Sequence, residues 1–229
     1  MIRLLFKGSY IFKLSVALIV LVLMFFASAS YSKEMSYSMP SDIDSSAKYF
    51  FFLHNYYVEK NGPNGDCKYY DILNAFMEKG FVVISELRSG KIVPCKYAEK
   101  IVKQVRTLLD AGVNPKNITV AGHSKGGVIA LCVASQLANP NICFIVMAGC
   151  CIKPLEGAYP DFTQLKGDFL SIYASSDNIA GSCQKIFSNA TADLSSRELQ
   201  VKNDRGHNLF FQPEDIWLEP VMTWLKQRR

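Results

Sequence analysis

Gly122-His123-Ser124-Lys125-Gly126 stands between a strand-like run, Ile118-Thr119-Val120-Ala121, and a helix-like run over residues 127–138. A chain that turns from strand straight into helix brings the backbones two residues before and two after the turn too close for a Cβ, so both positions demand glycine. Gly122 and Gly126 meet that demand, and Gly127 extends it. The residue at the apex is then strained, with its side chain exposed, and the helix beyond it begins with N–H groups that have no intrahelical acceptor. Ser124 at that apex is a candidate nucleophile. The same five residues would also suit a glycine-rich loop with a passive serine, but the strand before and the helix after favour the nucleophile.

Outward from this turn the chain alternates between two periods. Tyr49-Phe50-Phe51-Phe52-Leu53 is a continuous apolar run, too short for a helix and rich in aromatics, as expected of a strand buried on both faces. Tyr69, Ile72, Leu73 and Phe76 then recur at helical spacing within residues 67–79, and Gly80 supplies a stop. Residues 81–85 read as the next strand. A second amphipathic helix carries Ile101, Val105, Leu108 and Leu109 on one face and closes at Gly112. Beyond the glycine turn, residues 141–147, 169–173 and 198–201 read as strands, the last more alternating than the others. A final helix presents Trp217, Val221, Trp224 and Leu225, with Pro220 in its first turn or at a kink. Strands alternating with helices through short loops predict an α/β fold, a mostly parallel sheet of about six strands with helices on both faces.

A serine hydroxyl needs a base within hydrogen-bond reach, usually a histidine oriented by a carboxylate. The chain has three histidines. His123 is the variable residue of the turn and is expected to point away from the serine. His54 closes the first strand, where a structural role is expected. His207 remains, in a loop after the last strand, and is the candidate base. Asp177 follows the strand over 169–173 and so lies at the C-terminal end of a parallel strand, where open α/β sheets place their chemistry. Asp161, Asp193 and Asp204 are less clearly tied to a strand end, and Asp168 precedes its strand, which leaves Asp177 as the candidate acid.

Ser124, Asp177 and His207, in that order and with that glycine turn, resemble the α/β-hydrolase family over essentially the whole chain from Tyr49 to the last helix. The resemblance implies an oxyanion hole made by the N–H of Lys125 and a second N–H from His54-Asn55-Tyr56, with Asn55 and Tyr56 both open as the donor. His54-Asn55 stands where the family commonly has His-Gly, and asparagine tolerates unusual backbone angles better than most residues. The interval 148–168 is too short for the helical lid of many relatives, so an open site is implied. Tyr56, Tyr57 and Glu59 are either pocket walls or ordinary loop residues. The implied activity is hydrolysis of carboxylic esters through an acyl-enzyme. Thioesters and amides share the mechanism, and a non-catalytic binding protein on the same fold is the rival. Neither a cofactor nor a metal is implied, and the expected partner is a small or acyl ester met by a monomer.

Arg3, Lys7 and Lys13 precede an apolar run over residues 14–26 that ends in Ala27-Ser28-Ala29-Ser30. That run is shorter than the ~20 residues of a membrane-spanning helix, and the pattern is that of a secretory signal peptide cut after Ala29, with an uncleaved N-terminal anchor as the alternative. The expected organisation is therefore a signal over 1–29, an extended lead-in over 30–47 and one catalytic domain over 48–229, periplasmic or extracellular. Removing three basic residues takes the formal charge from +5 to +2. No basic excess then points to nucleic acid. All seven cysteines lie in the exported part, where pairing is permitted. Their placement suggests Cys67–Cys95, and Cys150 or Cys151 with Cys183. Cys132 and Cys143 are expected to be buried free thiols.

Overall fold

A computed structural model describes residues 37–190 and 193–228. The expected signal segment and its cleavage point lie outside the described residues. The strands are β1 (Tyr49–Leu53), β2 (Val82–Ile84), β3 (Ile118–His123), β4 (Cys143–Met147), β5 (Gly167–Ala174) and β6 (Leu194–Val201). The helices are α1 (Tyr56–Asn61), α2 (Tyr69–Glu78), α3 (Pro94–Asp110), α4 (Lys125–Leu137), the short α5 (Gln184–Phe187) and α6 (Asp215–Gln227).

All five residues of β1 are buried, because the sheet is covered on both faces. Phe50 and Phe52 enter a core with Leu73 and Phe76 of α2 and Trp217 and Val221 of α6. Tyr49, Phe51 and Leu53 enter the other, with Ile101 and Val105 of α3 and Ile129 and Val133 of α4. A run apolar at every position is what a strand between two helical layers requires. The six strands lie in the order β2-β1-β3-β4-β5-β6, and every pair is parallel.

This order reverses direction once. From β1 the chain moves outward to β2, then crosses back to place β3 on the other side of β1. The connections leaving the C-terminal ends of β1 and β3 therefore diverge, and open sheets form their binding crevice at such a point. Asn55 leaves β1 there and Ser124 leaves β3.

Several boundaries depart from expectation for physical reasons. β6 begins four residues earlier than its apolar pattern implies, since an edge strand keeps Ser195, Ser196 and Arg197 exposed. Helix α1 occupies the region read as a plain loop. It starts because the Asn55 side chain accepts a hydrogen bond from Val58 N–H at 2.9 Å, an N-cap that stabilises even a short helix. Pro220 lies inside α6. Within residues 37–47 the lead-in packs on the domain: Tyr37 donates from its hydroxyl to Asn74, and its carbonyl accepts from Ser85 N–H.

The disulfides are Cys95–Cys132 and Cys150–Cys183. The second agrees with the expected pairing. The expected Cys67–Cys95 bond does not form, because Cys67 packs with the α2 layer while Cys95 opens α3 on the opposite face of the sheet. Cys132 is consequently no free thiol: α3 and α4 share one face of the sheet, and Cys132 meets the start of α3. Cys67, Cys143 and Cys151 are free, the first two buried and the last exposed. Among the described residues no helix is long and apolar enough to cross a membrane.

These positions set the expected labelling pattern. Alkylation of the native, unreduced protein should modify Cys151 alone, unfolding without reductant should add Cys67 and Cys143, and reduction should expose the remaining four of the seven. Peptide mapping by mass spectrometry reads this directly, and a crosslinked Cys67–Cys95 peptide would overturn the assignment. Reduction should also lower the melting temperature, each disulfide typically contributing ~2–4 kcal/mol.

Candidate functional site

The turn after β3 is as crowded as its sequence demands. A Cβ on Gly122 would lie 2.1 Å from Gly126 O, and one on Gly126 would lie 1.9 Å from Leu53 O. Both are backbone atoms that cannot swing aside. Ser124 has φ 56° and ψ −120°, in a region non-glycine residues rarely adopt. Its own N–H donates to Met147 O at 2.9 Å, so β4 helps to hold the strained residue.

The three residues singled out as nucleophile, base and acid meet in a line. His207 Nε2 is 2.8 Å from Ser124 Oγ, and His207 Nδ1 is 2.9 Å from Asp177 Oδ2. With Nδ1–H donating to the carboxylate, Nε2 is left to accept from the serine hydroxyl. The other Asp177 oxygen accepts N–H bonds from Ile179 at 2.8 Å and Ala180 at 2.9 Å. Burial pushes the Asp177 carboxyl up, but the hydrogen bonds from His207, Ala180 and Ile179 outweigh it and hold the group below the usual carboxylate range. Ser176 sews the acid loop to the histidine loop, donating to Asn203 O and accepting from Gly206 N–H at 3.1 Å. At Gly206, φ is 53° and an added Cβ would come within 3.1 Å of Ser176 O. Beyond the acid, the Cys150–Cys183 bond and the hydrogen bond from Gly181 N–H to Cys150 O fasten this loop to the end of β4.

His123 departs from expectation. Its ring does not turn away from the site but lies 5.0 Å from the His207 ring, centroid to centroid. Its Nδ1 is 2.9 Å from Asn55 Nδ2, which can only donate, so the proton sits on Nε2, which donates to His207 O at 3.1 Å. Burial holds its basicity far below that of a free imidazole, and the neighbouring His207 adds to the effect. A neutral His123 thus links the loop after β1 to the backbone of the candidate base. No sequence signal marks this, since the turn tolerates any residue at that position.

His54 is structural, as expected. Its Nε2 accepts from Arg88 N–H at 2.8 Å and its Nδ1–H donates to Asn55 O at 2.9 Å. Burial and the adjacent Arg88 bring its pKa down to about 3. The two residues left open as second donor, Asn55 and Tyr56, both line the cleft beside Ser124 and Lys125, and Asn55 uses its side chain to cap α1 and to hold His123. Glu59 is not a pocket wall. Its carboxylate is 3% exposed, 2.7 Å from Lys125 Nζ and 3.8 Å from Arg88 Nε. The reason is that α1 turns its fourth residue inward, which a loop reading could not show.

A cleft of about 700 Å³ opens over Ser124 and His207, walled by Tyr56, Tyr57, Ile152, Leu155, Ile179 and Phe211. That volume suits a small organic ligand. The segment between β4 and β5 contributes Ile152 and Leu155 through short turns, and among the described residues no helical lid stands over the opening.

No family model matches the sequence, and no curated protein matches it. Solved structures do resemble it at low identity. One, from Agrobacterium tumefaciens, is a protein of unknown function described as a candidate α/β hydrolase, with 20% identity, a TM-score of 0.54, and coverage of 82% of this chain and 88% of that one. A predicted hydrolase from Thermoplasma acidophilum has 15% identity, a TM-score of 0.54, and coverage of 81% and 89%. A carboxylesterase structure from the thaumarchaeon Nitrososphaera gargenis has 16% identity, a TM-score of 0.50, and coverage of 83% and 97%. With six parallel strands in this order, helices on both faces and a serine at the sharp turn after β3, the chain has the α/β-hydrolase fold.

Proposed function

We propose that the chain is a serine hydrolase that cleaves carboxylic esters through an acyl-enzyme. The observation that carries this reading is the continuous hydrogen-bonded line from Ser124 through His207 to Asp177, built on a strained turn at the floor of an open cleft. Structural economy alone does not account for a serine held at positive φ with a histidine nitrogen on its hydroxyl.

In the proposed reaction His207 Nε2 takes the proton as Ser124 Oγ attacks the ester carbonyl. Asp177 holds the imidazole in the tautomer that leaves Nε2 free and stabilises the imidazolium that forms. The N–H of Lys125 and a second N–H from the loop after β1, that of Asn55 or of Tyr56, receive the oxyanion. His207 then delivers its proton to the departing alcohol, and water repeats the sequence on the acyl-enzyme. Side chains and backbone suffice for each step. Tyr56, Tyr57, Ile152 and Phe211 make the cleft a wall for an apolar acyl group, and its openness suits a substrate dissolved in water. The two disulfides agree with a protein that works in an oxidising compartment, so the reading includes export.

Ser124→Ala should abolish labelling by a fluorophosphonate probe and lower kcat toward p-nitrophenyl esters by up to ~10⁶-fold, while Asp177→Asn should cost about 10⁴-fold. Hydrolysis unchanged in a folded Ser124→Ala protein would exclude Ser124 as the nucleophile. Over a series from acetyl to hexanoyl esters, kcat/KM should rise by up to about fourfold per methylene, since each buried CH₂ is worth ~0.8 kcal/mol. A flat or falling series would show that the apolar walls do not receive the acyl chain.

A further inference from the structure

Beneath the oxyanion region lies a group of charges that the proposed reaction does not consume. Lys125, the residue after the nucleophile, reaches back with its ammonium to Glu59 Oε1 at 2.7 Å. Glu59 belongs to α1, which leaves the end of β1, and Lys125 to α4, which leaves the end of β3. The pair therefore bridges the two connections that diverge at the reversal of strand order. Arg88, from the segment after β2, supports it from below: its Nε is 3.8 Å from Glu59 Oε2, its guanidinium donates to His54 O, its backbone N–H donates to His54 Nε2, and it lies over the Tyr97 ring at 5.4 Å. Side-chain exposures are 9% for Lys125, 3% for Glu59 and 1% for Arg88.

Stability does not explain such an arrangement. Moving ionised groups out of water is costly, and apolar replacements of a whole buried ion pair are often neutral or stabilising. Here, moreover, the pairing is incomplete, since among the described residues no hydrogen bond reaches Glu59 Oε2 or Arg88 Nε. Two cations face one carboxylate, with a neutral His54 beside them. The excess is positive, and one of the two cations is the side chain of the very residue whose N–H is assigned to the oxyanion.

We propose that the buried Lys125–Glu59 ion pair, seated on Arg88, is a positioning device that fixes the gap between the Lys125 N–H and the donor of the Asn55-Tyr56 loop and biases that gap toward negative charge. This rests on the serine-hydrolase reading above. Glu59 and Lys125 touch no reacting atom through their side chains; they act through the two backbone donors. Because a misplacement of about 1 Å at a reacting centre can cost on the order of 100-fold, a brace across the gap acts on kcat rather than on substrate capture.

The test uses the full-length protein and the double variant Lys125→Met/Glu59→Leu, which removes the charges of the pair and leaves Arg88 held by its bonds to His54. Its kcat toward a p-nitrophenyl ester should fall about 10- to 100-fold with KM within about twofold, and fluorophosphonate labelling should slow in parallel. Lys125→Arg, which keeps the cation, should retain most of the rate. The surface pair Lys79–Glu219, 3.1 Å apart and half exposed, supplies the control: Lys79→Met/Glu219→Leu should leave kcat unchanged. If the Lys125/Glu59 double variant folds, shifts only its melting temperature and keeps kcat, the pair is structural and the proposal is overturned while the hydrolase reading stands. If the wild-type protein neither labels nor hydrolyses any ester, both fall together.

Discussion

The site depends on one steric constraint, the crossing of three backbones at the end of β3. The Leu53 carbonyl, the Gly122 turn and the first residues of α4 approach so closely that no side chain fits between them. This contact brings the end of β1 against the start of α4, and so brings the Asn55-Tyr56 loop beside Ser124. It also forces Ser124 into its unusual backbone angles, which raise the hydroxyl toward His207. A strained residue persists only where its surroundings over-determine it. Here the surroundings are the β4 carbonyl that accepts Ser124 N–H, the packed glycines, and the buried face of α4.

Much of this was legible in the residues. Phe50 through Phe52 announce a doubly covered strand because each face of the sheet has its own helical layer to satisfy. The Ser124 turn is legible because steric exclusion leaves glycine alone at two fixed offsets. His207 and Asp177 followed from the scarcity of histidine and from the rule that chemistry gathers at C-terminal strand ends. The rest was hidden for reasons of the same kind. A six-residue helix such as α1 has too few turns to show a period, and its start depends on the one capping side chain of Asn55. The disulfide partner of Cys95 depends on which face of the sheet each helix covers, which pattern along the chain does not encode. Glu59 and Arg88 carry charges that composition assigns to the surface, and only the three-dimensional crossing of β1, β3 and the segment after β2 buries them together.

Neutral imidazoles frame the proposed base. His54 and His123 are both kept uncharged by burial and by the cations or imidazole beside them, and each uses one nitrogen as donor and the other as acceptor. This leaves His207 as the histidine at the site whose charge can change during a reaction without disturbing the frame. A protonated His123 would have two donors where the Asn55 amide also donates, and the link between the β1 loop and the His207 backbone would break.

The three residues of the line are carried by strands of very different standing. Ser124 rises from β3, deep within the sheet, whereas His207 follows β6, the outermost strand, whose residues are mostly exposed or half-buried. Edges open locally at a smaller free-energy cost than interiors. On gentle heating or in mild denaturant, the imidazole would be carried off by fraying of β6 while the turn that holds Ser124 stayed folded. Loss of the proposed activity would then be a peripheral event that precedes melting, and the first species to accumulate would keep the Ser124 turn formed with the His207 imidazole gone from it.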